Sequence, residues 1–145
     1  VSSVQEETGV FGAGNPAFSY KPNAAIAIDV MPSSDQPEIP KERFGVTKLG
    51  LGPVITRGVR SNNKLADELI NTAKRIKMKH QIEVDFGHTW TDADPISQSR
   101  GGVAIGVVSV ATRYLHSSVE TLSLKDIDLT VDLLADFITK SKLEF

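Results

Sequence analysis

Two adjacent carboxylates, Glu6 and Glu7, are the first residues of the chain whose types and spacing could do chemistry. They close a strand-like stretch at residues 1–9, and successive strand side chains point to opposite faces. The two carboxylates are therefore expected to point in different directions, so that one can bind a metal ion while the other accepts a proton. A solvated acidic turn is the better explanation of an isolated Glu-Glu pair, and residues further along decide between the two.

Asp29 and His116 are the residues that favour a metal site. Asp29 lies near the end of an apolar run, and His116 lies in a polar loop that follows a second apolar run. Hydrolases with two metal ions use His and carboxylate ligands, and a further carboxylate takes the proton of the attacking water. In that arrangement Glu7, Asp29 and His116 would be ligands and Glu6 the base. Pairing of Asp29 with a lysine, and an ordinary loop role for His116, remain alternatives.

His88 and Asp92 form a second possible pair, in a polar loop that also contains Trp90. A loop histidine beside a tryptophan is more typical of a structural or substrate-facing residue than of a metal ligand. We therefore treat His88 as a candidate substrate contact.

Four segments are predicted to be strands. Nearly continuous apolar runs at 24–31 and 103–110 are typical of strands covered on both faces, and a short strand is predicted at 54–56. The segment 81–86 alternates, and its predicted buried face consists of Ile82, Val84 and Phe86. A loop is predicted at 111–121.

Two longer amphipathic helices are predicted to cover the sheet. The first begins at Asn62 or Asn63, which are suitable N-caps, and carries apolar residues at helical spacing. The second begins at Ser123, whose spacing to Asp126 is that of a capping box. Its predicted apolar face consists of Ile127, Val131, Leu134 and Ile138.

Alternating strands and helices predict an α/β fold, in which sites gather where strands end. Glu6, Glu7, Asp29 and His116 all fall at such positions. The glycine-rich turn at 8–16 is interpreted as a tight turn, because no Gly-Lys-Ser/Thr follows it.

Composition narrows the function classes. The chain has 145 residues, 40% of them hydrophobic and 23% charged, which is typical of one domain. A net charge of −2 without a basic stripe argues against a nucleic-acid partner. Because cysteine is absent, a metal ion must be held by His, Asp or Glu. The sequence has neither a membrane-spanning run nor a signal peptide, so we expect a cytoplasmic protein.

Five motifs resemble, in this order, those of the tetrahedral, glutamyl-type aminopeptidases, a family that includes deblocking aminopeptidases and proteins called endoglucanases. They are VQEETG at 4–9, AIDV at 27–30, LGLGP at 49–53, TDA at 91–93 and RYLHSSVE at 113–120. The resemblance covers nearly the whole chain. It implies a metal-dependent aminopeptidase and a three-layer α/β/α fold around a mixed, largely parallel sheet, incomplete in this chain.

The resemblance also implies residue roles. Glu6 corresponds to the general base, and the family's metal ligands correspond to Glu7, Asp29 and His116. Asp92 corresponds to the acid of a loop beside the substrate pocket. With it we expect His88, Arg113 and Tyr114 to contact a peptide substrate.

The sequence also departs from the family pattern. Members carry a further metal-binding His with a nearby Asp, and a bridging Asp, upstream of the Gln-Glu-Glu motif, with a β-rich domain inserted between them. Residues 1–145 contain none of these, so we expect the C-terminal segment of one catalytic domain. Of two divalent ions, zinc or cobalt, this chain would hold at most one well. The expected partners are the missing N-terminal segment and, in the complete protein, further copies of itself.

Further changes lie near the expected substrate loop, where the usual Gly-Gly-Thr-Asp becomes Gly-His-Thr-Trp-Thr-Asp at 87–92. Thr112 also stands where members carry a Pro or similar residue. A non-catalytic scaffold that has lost a metal is the main alternative function. Four intact candidate residues argue against such decay. A glycoside hydrolase acting through Glu6 and Glu7 is disfavoured, because such carboxylates flank the scissile bond roughly 5–9.5 Å apart and adjacent strand residues diverge.

Overall fold

The computed structural model describes residues 1–142, without the side chains of residues 43 and 44. Helices and strands alternate along the chain, which confirms the predicted α/β class. In order they are α1 Gly14–Tyr20, β1 Ala24–Pro32, α2 Lys41–Phe44, β2 Val54–Gly58, α3 Asn63–Arg75, β3 Gln81–Asp85, α4 Ala93–Ser97, β4 Ala104–Arg113, β5 Thr121–Leu122 and α5 Leu124–Lys140.

The sheet is mixed and largely parallel, as predicted. Its order is β1-β4-β2-β3, with β5 paired to β4. Strand β1 runs parallel to β4 with Asp29 opposite Ser109, and β2 runs parallel to β3 with Thr56 opposite Glu83. The two pairs meet where β2 lies antiparallel to β4, with Val54 opposite Ser109.

Helices cover both faces of the sheet, which gives three layers. Val108 belongs to a core cluster with Leu65 of α3 and Leu133 of α5, whereas its neighbour Val107 packs with Ala93 of α4 on the opposite face. Adjacent strand residues point to opposite faces, so one strand contributes to both cores. The predicted cap of α3 is confirmed, since the Asn62 side chain accepts a hydrogen bond from the Leu65 amide.

The predicted apolar face of α5 is wrong at three of its four residues, and only the fourth, Leu134, packs against the core. The buried residues of α5 are Asp126, Thr130, Leu133 and Phe137, whereas Ile127, Val131 and Ile138 are exposed. The reason is tertiary: the Asp126 carboxylate is fully buried and accepts hydrogen bonds from the amides of Gly50 and Gly52. Because the Asp126 carboxylate is bonded to the amides of this loop, the predicted Ser123 capping box does not form. The Ser123 side chain makes no cap hydrogen bond.

The predicted buried face of β3 is also wrong. Ile82, Val84 and Phe86 are exposed, whereas Gln81 and Asp85 are buried. Strand β3 lies at the end of the sheet, so its polar side chains can turn inward to satisfy backbone groups. Gln81 accepts a hydrogen bond from the Lys48 amide, and Asp85 accepts bonds from the amides of loop residues 59–61.

Residues 1–9 do not form the predicted strand. Gln5 has a left-handed φ of 61°, and the amides of Gly9 and Val10 both donate to the carbonyl of Glu6, which closes a turn. The predicted loop at 111–121 begins later than expected, because β4 continues to Arg113. Among the described residues, none of the helices is long and apolar enough to cross a membrane.

Candidate active site

A cavity of about 600 Å³ lies on the sheet face opposite α3 and α5. The turn after residue 5, the second half of β1, strand β3 and the loops after β3 and β4 all contribute side chains to it. Its chemically active lining residues are Glu6, Glu7, Asp29, Glu83, Asp85, His88 and His116, with Trp90 beside them. The fold therefore brings both carboxylates of the first motif to the same cavity as Asp29 and His116.

Glu7 and His116 are in direct contact. The His116 Nε2 atom lies 3.2 Å from the Glu7 Oε2 atom, and both side chains are largely exposed to the cavity. His116 adopts a left-handed φ of 60°, and its backbone amide donates to the Glu120 carboxylate, which fixes the turn that presents the imidazole. Two predicted ligands from opposite ends of the chain thus face each other.

Glu6 and Asp29 lie close enough to these groups to feel their charges. Burial raises the pKa of Glu6, and the negative charges of Asp29, Glu7 and Asp92 raise it further, while His116 lowers it. Burial is also the main cause of a raised pKa at Asp29, partly offset by a hydrogen bond from the Val30 amide, 2.7 Å long. The carboxylates of this cluster therefore repel one another, and a bound cation would reduce that repulsion.

Asp92 lines a neighbouring cavity, to which Glu6, Glu7 and Asp29 also contribute. One carboxylate oxygen of Asp92 accepts a hydrogen bond from the Ser3 hydroxyl. The other, Oδ1, is buried and accepts no hydrogen bond from the described residues. A buried acceptor without a donor is costly, which makes this side of the cluster a place where a cation or water would be held.

The donor set fits a divalent metal ion in type, because carboxylate and imidazole are ligands for zinc. The pair of Glu7 and His116 is assembled, and Asp29 lies in the same cavity. Within residues 1–142, however, three or more His, Asp or Glu side chains do not gather tightly enough to enclose an ion. The residues present thus fit part of a metal site.

The predicted substrate contacts are divided between two places. His88 lines the cavity, and its Nδ1 atom lies 3.3 Å from the Asp94 carboxylate. Arg113 instead forms a two-pronged ion pair with Asp35, with N–O distances of 2.9 and 2.7 Å. Tyr114 is half-exposed, and its amide donates to the Gln36 side chain. Substrate binding by His88, Asp92, Arg113 and Tyr114 stays a prediction.

Sequence reasoning missed Glu83. Its side chain points to the same face as Thr56, whose hydroxyl donates to the Glu83 carboxylate at 2.7 Å, and burial raises the pKa of that carboxyl. The sequence does contain a signal for the inward direction of Glu83, because polar Gln81, Glu83 and Asp85 alternate with the apolar residues of β3. Alternation alone does not show which of the two sets faces inward, and the hydrophobicity of Ile82, Val84 and Phe86 favours the opposite face.

The family model described as M42 glutamyl aminopeptidase matches residues 1–133. The chain is 39% identical over 133 residues to the lysyl aminopeptidase of Pyrococcus furiosus, covering 92% of this chain and 38% of that protein. A solved aminopeptidase of the archaeon Desulfurococcus kamchatkensis is similar with a TM-score of 0.86 and 35% identity, over 97% of this chain and 40% of the other.

A second solved structure is the TET1 peptidase of Pyrococcus horikoshii, described as assembling into a tetrahedron or a large octahedral shell. It is similar with a TM-score of 0.76 and 34% identity, over 93% of this chain and 38% of that one. The chain thus spans about 40% of the length of the relatives it matches. Both the matched residues and the shared fold show that this chain belongs to the M42 glutamyl aminopeptidase family.

Proposed function

We propose that this chain provides the C-terminal part of the catalytic domain of a metal-dependent aminopeptidase, which releases N-terminal residues from peptides. The observation that carries the proposal is the convergence of Glu6, Glu7, Asp29 and His116 on one cavity. Membership of the family supports the same reaction class.

Each of the four residues has a proposed role. Glu7, Asp29 and His116 bind a divalent ion, zinc or cobalt, and Glu6 accepts the proton of the attacking water. A bound ion of this kind lowers the pKa of water and polarises the scissile carbonyl. Burial of Glu6 supports its role, because a raised pKa makes a carboxylate a stronger base.

The chain is proposed to work together with a further segment. A catalytic zinc commonly takes three protein ligands plus water, so the donors described here suit one ion at most. The second ion would need the His and Asp ligands that the sequence lacks by comparison with the family pattern. We expect that segment to restore the pair of ions and to cover the exposed apolar side chains of β1, Ile28 and Val30.

Association of complete copies is a further part of the proposal. The TET1 peptidase is described as forming closed shells, and this chain has its fold. We propose a homo-oligomer in the cytoplasm, whose substrate is a peptide.

Hydrolysis of aminoacyl p-nitroanilides, with and without added zinc or cobalt, tests the function. N-acetylated substrates are the matched control, because an aminopeptidase requires a free amino terminus. We expect little turnover by the chain alone and metal-dependent turnover when it is combined with the segment that supplies the other ligands.

Two results would contradict parts of this account. Full turnover by the purified chain, verified by mass and free of a second polypeptide, would contradict the need for a further segment. Absence of turnover in the complete protein, at full metal occupancy, would favour the non-catalytic scaffold.

A further inference from the structure

His116 lies in a loop that is held by little regular structure. The loop connects β4 to β5, a strand of two residues that pairs with the last two residues of β4, Thr112 and Arg113. Two of its residues, Tyr114 and His116, adopt left-handed φ values of 56° and 60° without being glycine. Residues other than glycine adopt this conformation at a cost in free energy, so it persists only where surrounding contacts enforce it.

The turn that follows β1 supplies such contacts at the beginning of the loop. The Arg113 guanidinium forms its two-pronged ion pair with Asp35 of that turn. The Tyr114 amide donates to the side-chain oxygen of the next residue, Gln36, at 2.6 Å. The first contact holds the end of β4, and the second holds the first left-handed residue of the loop. Arg113 and Tyr114 lie only three and two residues before His116, so both contacts act close to the imidazole.

The turn after β1 is itself anchored in the interior. Ser33, Ser34 and Thr47 are all buried. The Ser33 amide donates to the Thr112 carbonyl at 2.9 Å, and the Ser34 amide donates to the Thr47 carbonyl at 3.0 Å. The Ser33 hydroxyl also donates to the Asp35 carboxylate. The side chains that hold the beginning of the loop therefore extend from a fixed backbone.

These anchoring side chains are separate from the lining of the cavity. Among the described residues, the loop contributes Leu115 and His116 to that lining, whereas Arg113 and Gln36 are not part of it. The ion pair with Asp35 also occupies the Nε atom and one terminal nitrogen of the Arg113 guanidinium. Arg113 thus acts on the candidate metal ligands through the backbone that it holds.

We propose that Asp35 and Gln36 are positioning residues for His116. By holding the two residues that open the loop, they keep the imidazole directed at Glu7 before a ligand binds. A metal ion binds only to molecules whose loop is in place, so loss of these contacts lowers the apparent affinity as the ordered fraction falls. The consequence for zinc rests on the proposed function, whereas the order of the loop in the metal-free chain does not. A direct contact between Arg113 and substrate is the competing assignment.

Hydrogen exchange of the His116 amide, in the metal-free full chain, measures the order of the loop. This amide donates to Glu120, which the variants tested here leave unchanged. Gln36→Ala should speed its exchange about three- to tenfold, the factor that corresponds to the net contribution of one hydrogen bond. Gln36→Glu keeps an acceptor oxygen and should restore slow exchange. Glu42→Ala, at an exposed position on the short helix α2, should have no effect.

Zinc affinity of the full chain, measured by competition with a chelator, tests the link between the loop and the site. The double variant of Asp35→Asn and Gln36→Ala should bind zinc about threefold more weakly or worse, because it loses both contacts. Gly106→Ala is the control for stability, since it should destabilise the fold from the opposite face of the sheet without changing zinc affinity. In a His116→Ala background the double variant should have no further effect, because it acts only through that residue.

An unchanged exchange rate of the His116 amide in Gln36→Ala, or an equal loss of zinc affinity in Gly106→Ala, would overturn the positioning role. In the complete enzyme, an Arg113→Lys variant that raises KM at unchanged zinc affinity would assign Arg113 to the substrate and overturn it as well. If the parent chain bound no zinc while the exchange results held, the proposed metal ligands would be refuted and the positioning of the loop would stand.

Discussion

The imidazole of His116 lies 3.2 Å, Nε2 to Oε2, from the carboxylate of Glu7. This contact joins the turn near the start of the chain to the loop after the longest strand, β4. An imidazole and a carboxylate at this distance can form a hydrogen bond or share a metal ion between them. Because both side chains are largely exposed, the pair alone contributes little to folding.

The first prediction follows from this pair. His116→Ala removes one of the proposed ligands, so we expect zinc affinity to fall by at least the 10- to 100-fold typical of weakened metal ligation. Zinc content after dialysis, measured by mass spectrometry, checks this. His80→Ala is the matched control, because the His80 ring contacts the Met78 carbonyl away from the cavity. Equal zinc content in His116→Ala and the parent chain would remove His116 from the ligand set.

The second prediction concerns Asp35, whose pKa is lowered to about 2, chiefly by the hydrogen bonds from Arg113. A carboxylate with a folded pKa below its unfolded value of 3.8 stabilises the fold above that value. The contribution declines as pH falls through 3.8 and is lost below about 2. After a discount for the partly exposed Arg113, we expect it to be about 1 kcal/mol.

Urea unfolding of Asp35→Asn and the parent chain between pH 7 and pH 2 measures this contribution. The difference in unfolding free energy should shrink as pH falls. Asp67→Asn is the control, because its ion pair with Arg57 is about half exposed on both sides and contributes little. If the difference in unfolding free energy between Asp35→Asn and the parent chain did not depend on pH, the proposed contribution of Asp35 would be contradicted.

The third prediction concerns the fully buried Asp126, whose carboxylate accepts the amides of Gly50 at 2.7 Å and Gly52 at 2.9 Å. Asp126→Asn replaces one acceptor oxygen by a donor, so one buried amide is left without a partner. We expect a loss of about 1–3 kcal/mol in unfolding free energy. Asp128→Asn, an exposed position two residues along α5, should change stability little. Equal effects at the two positions would show that the buried contact is not important.

The fourth prediction concerns Gly106, in the middle of β4. A Cβ atom there would lie 3.1 Å from Leu65 Cδ2 and 3.2 Å from Leu65 Cγ, closer than ordinary packing. Gly106→Ala should therefore push α3 away from the sheet and cost about 1–3 kcal/mol. Gly101→Ala is the control, because nothing lies within 4 Å of the added methyl group. Thermal unfolding of both variants compares them, and an unchanged midpoint for Gly106→Ala would show that α3 shifts freely.

Local patterns were sufficient to predict much of the fold. The apolar runs predicted β1 and β4, and the side chain of Asn62 marked the beginning of α3. These signals depend on residues that are near one another in sequence. The orientation of α5 depends instead on a bond between Asp126 and the distant loop at 50–52, which helical periodicity does not contain.

The candidate site divides in the same way. Residue types and their positions near predicted strand ends suggested Glu7, Asp29 and His116, and the chemistry of two-metal hydrolases and the resemblance to the family both predict that they bind metal. The inward direction of Glu83 and the exposure of Trp90 follow from tertiary structure. The direction of Glu83 depends on the place of β3 in the sheet, and the exposure of Trp90 depends on a loop anchored by Asp94.

The most direct test of the central claim is Glu6→Gln in the complete, metal-loaded enzyme. Turnover and metal content are measured on the same sample, with Glu42→Gln as a control at an exposed position. Loss of a general base is expected to reduce turnover about 10²- to 10⁴-fold, while the proposed ligands Glu7, Asp29 and His116 keep the metal content unchanged. Turnover equal to that of the parent enzyme, at equal metal content, would contradict the assignment of Glu6 as the base.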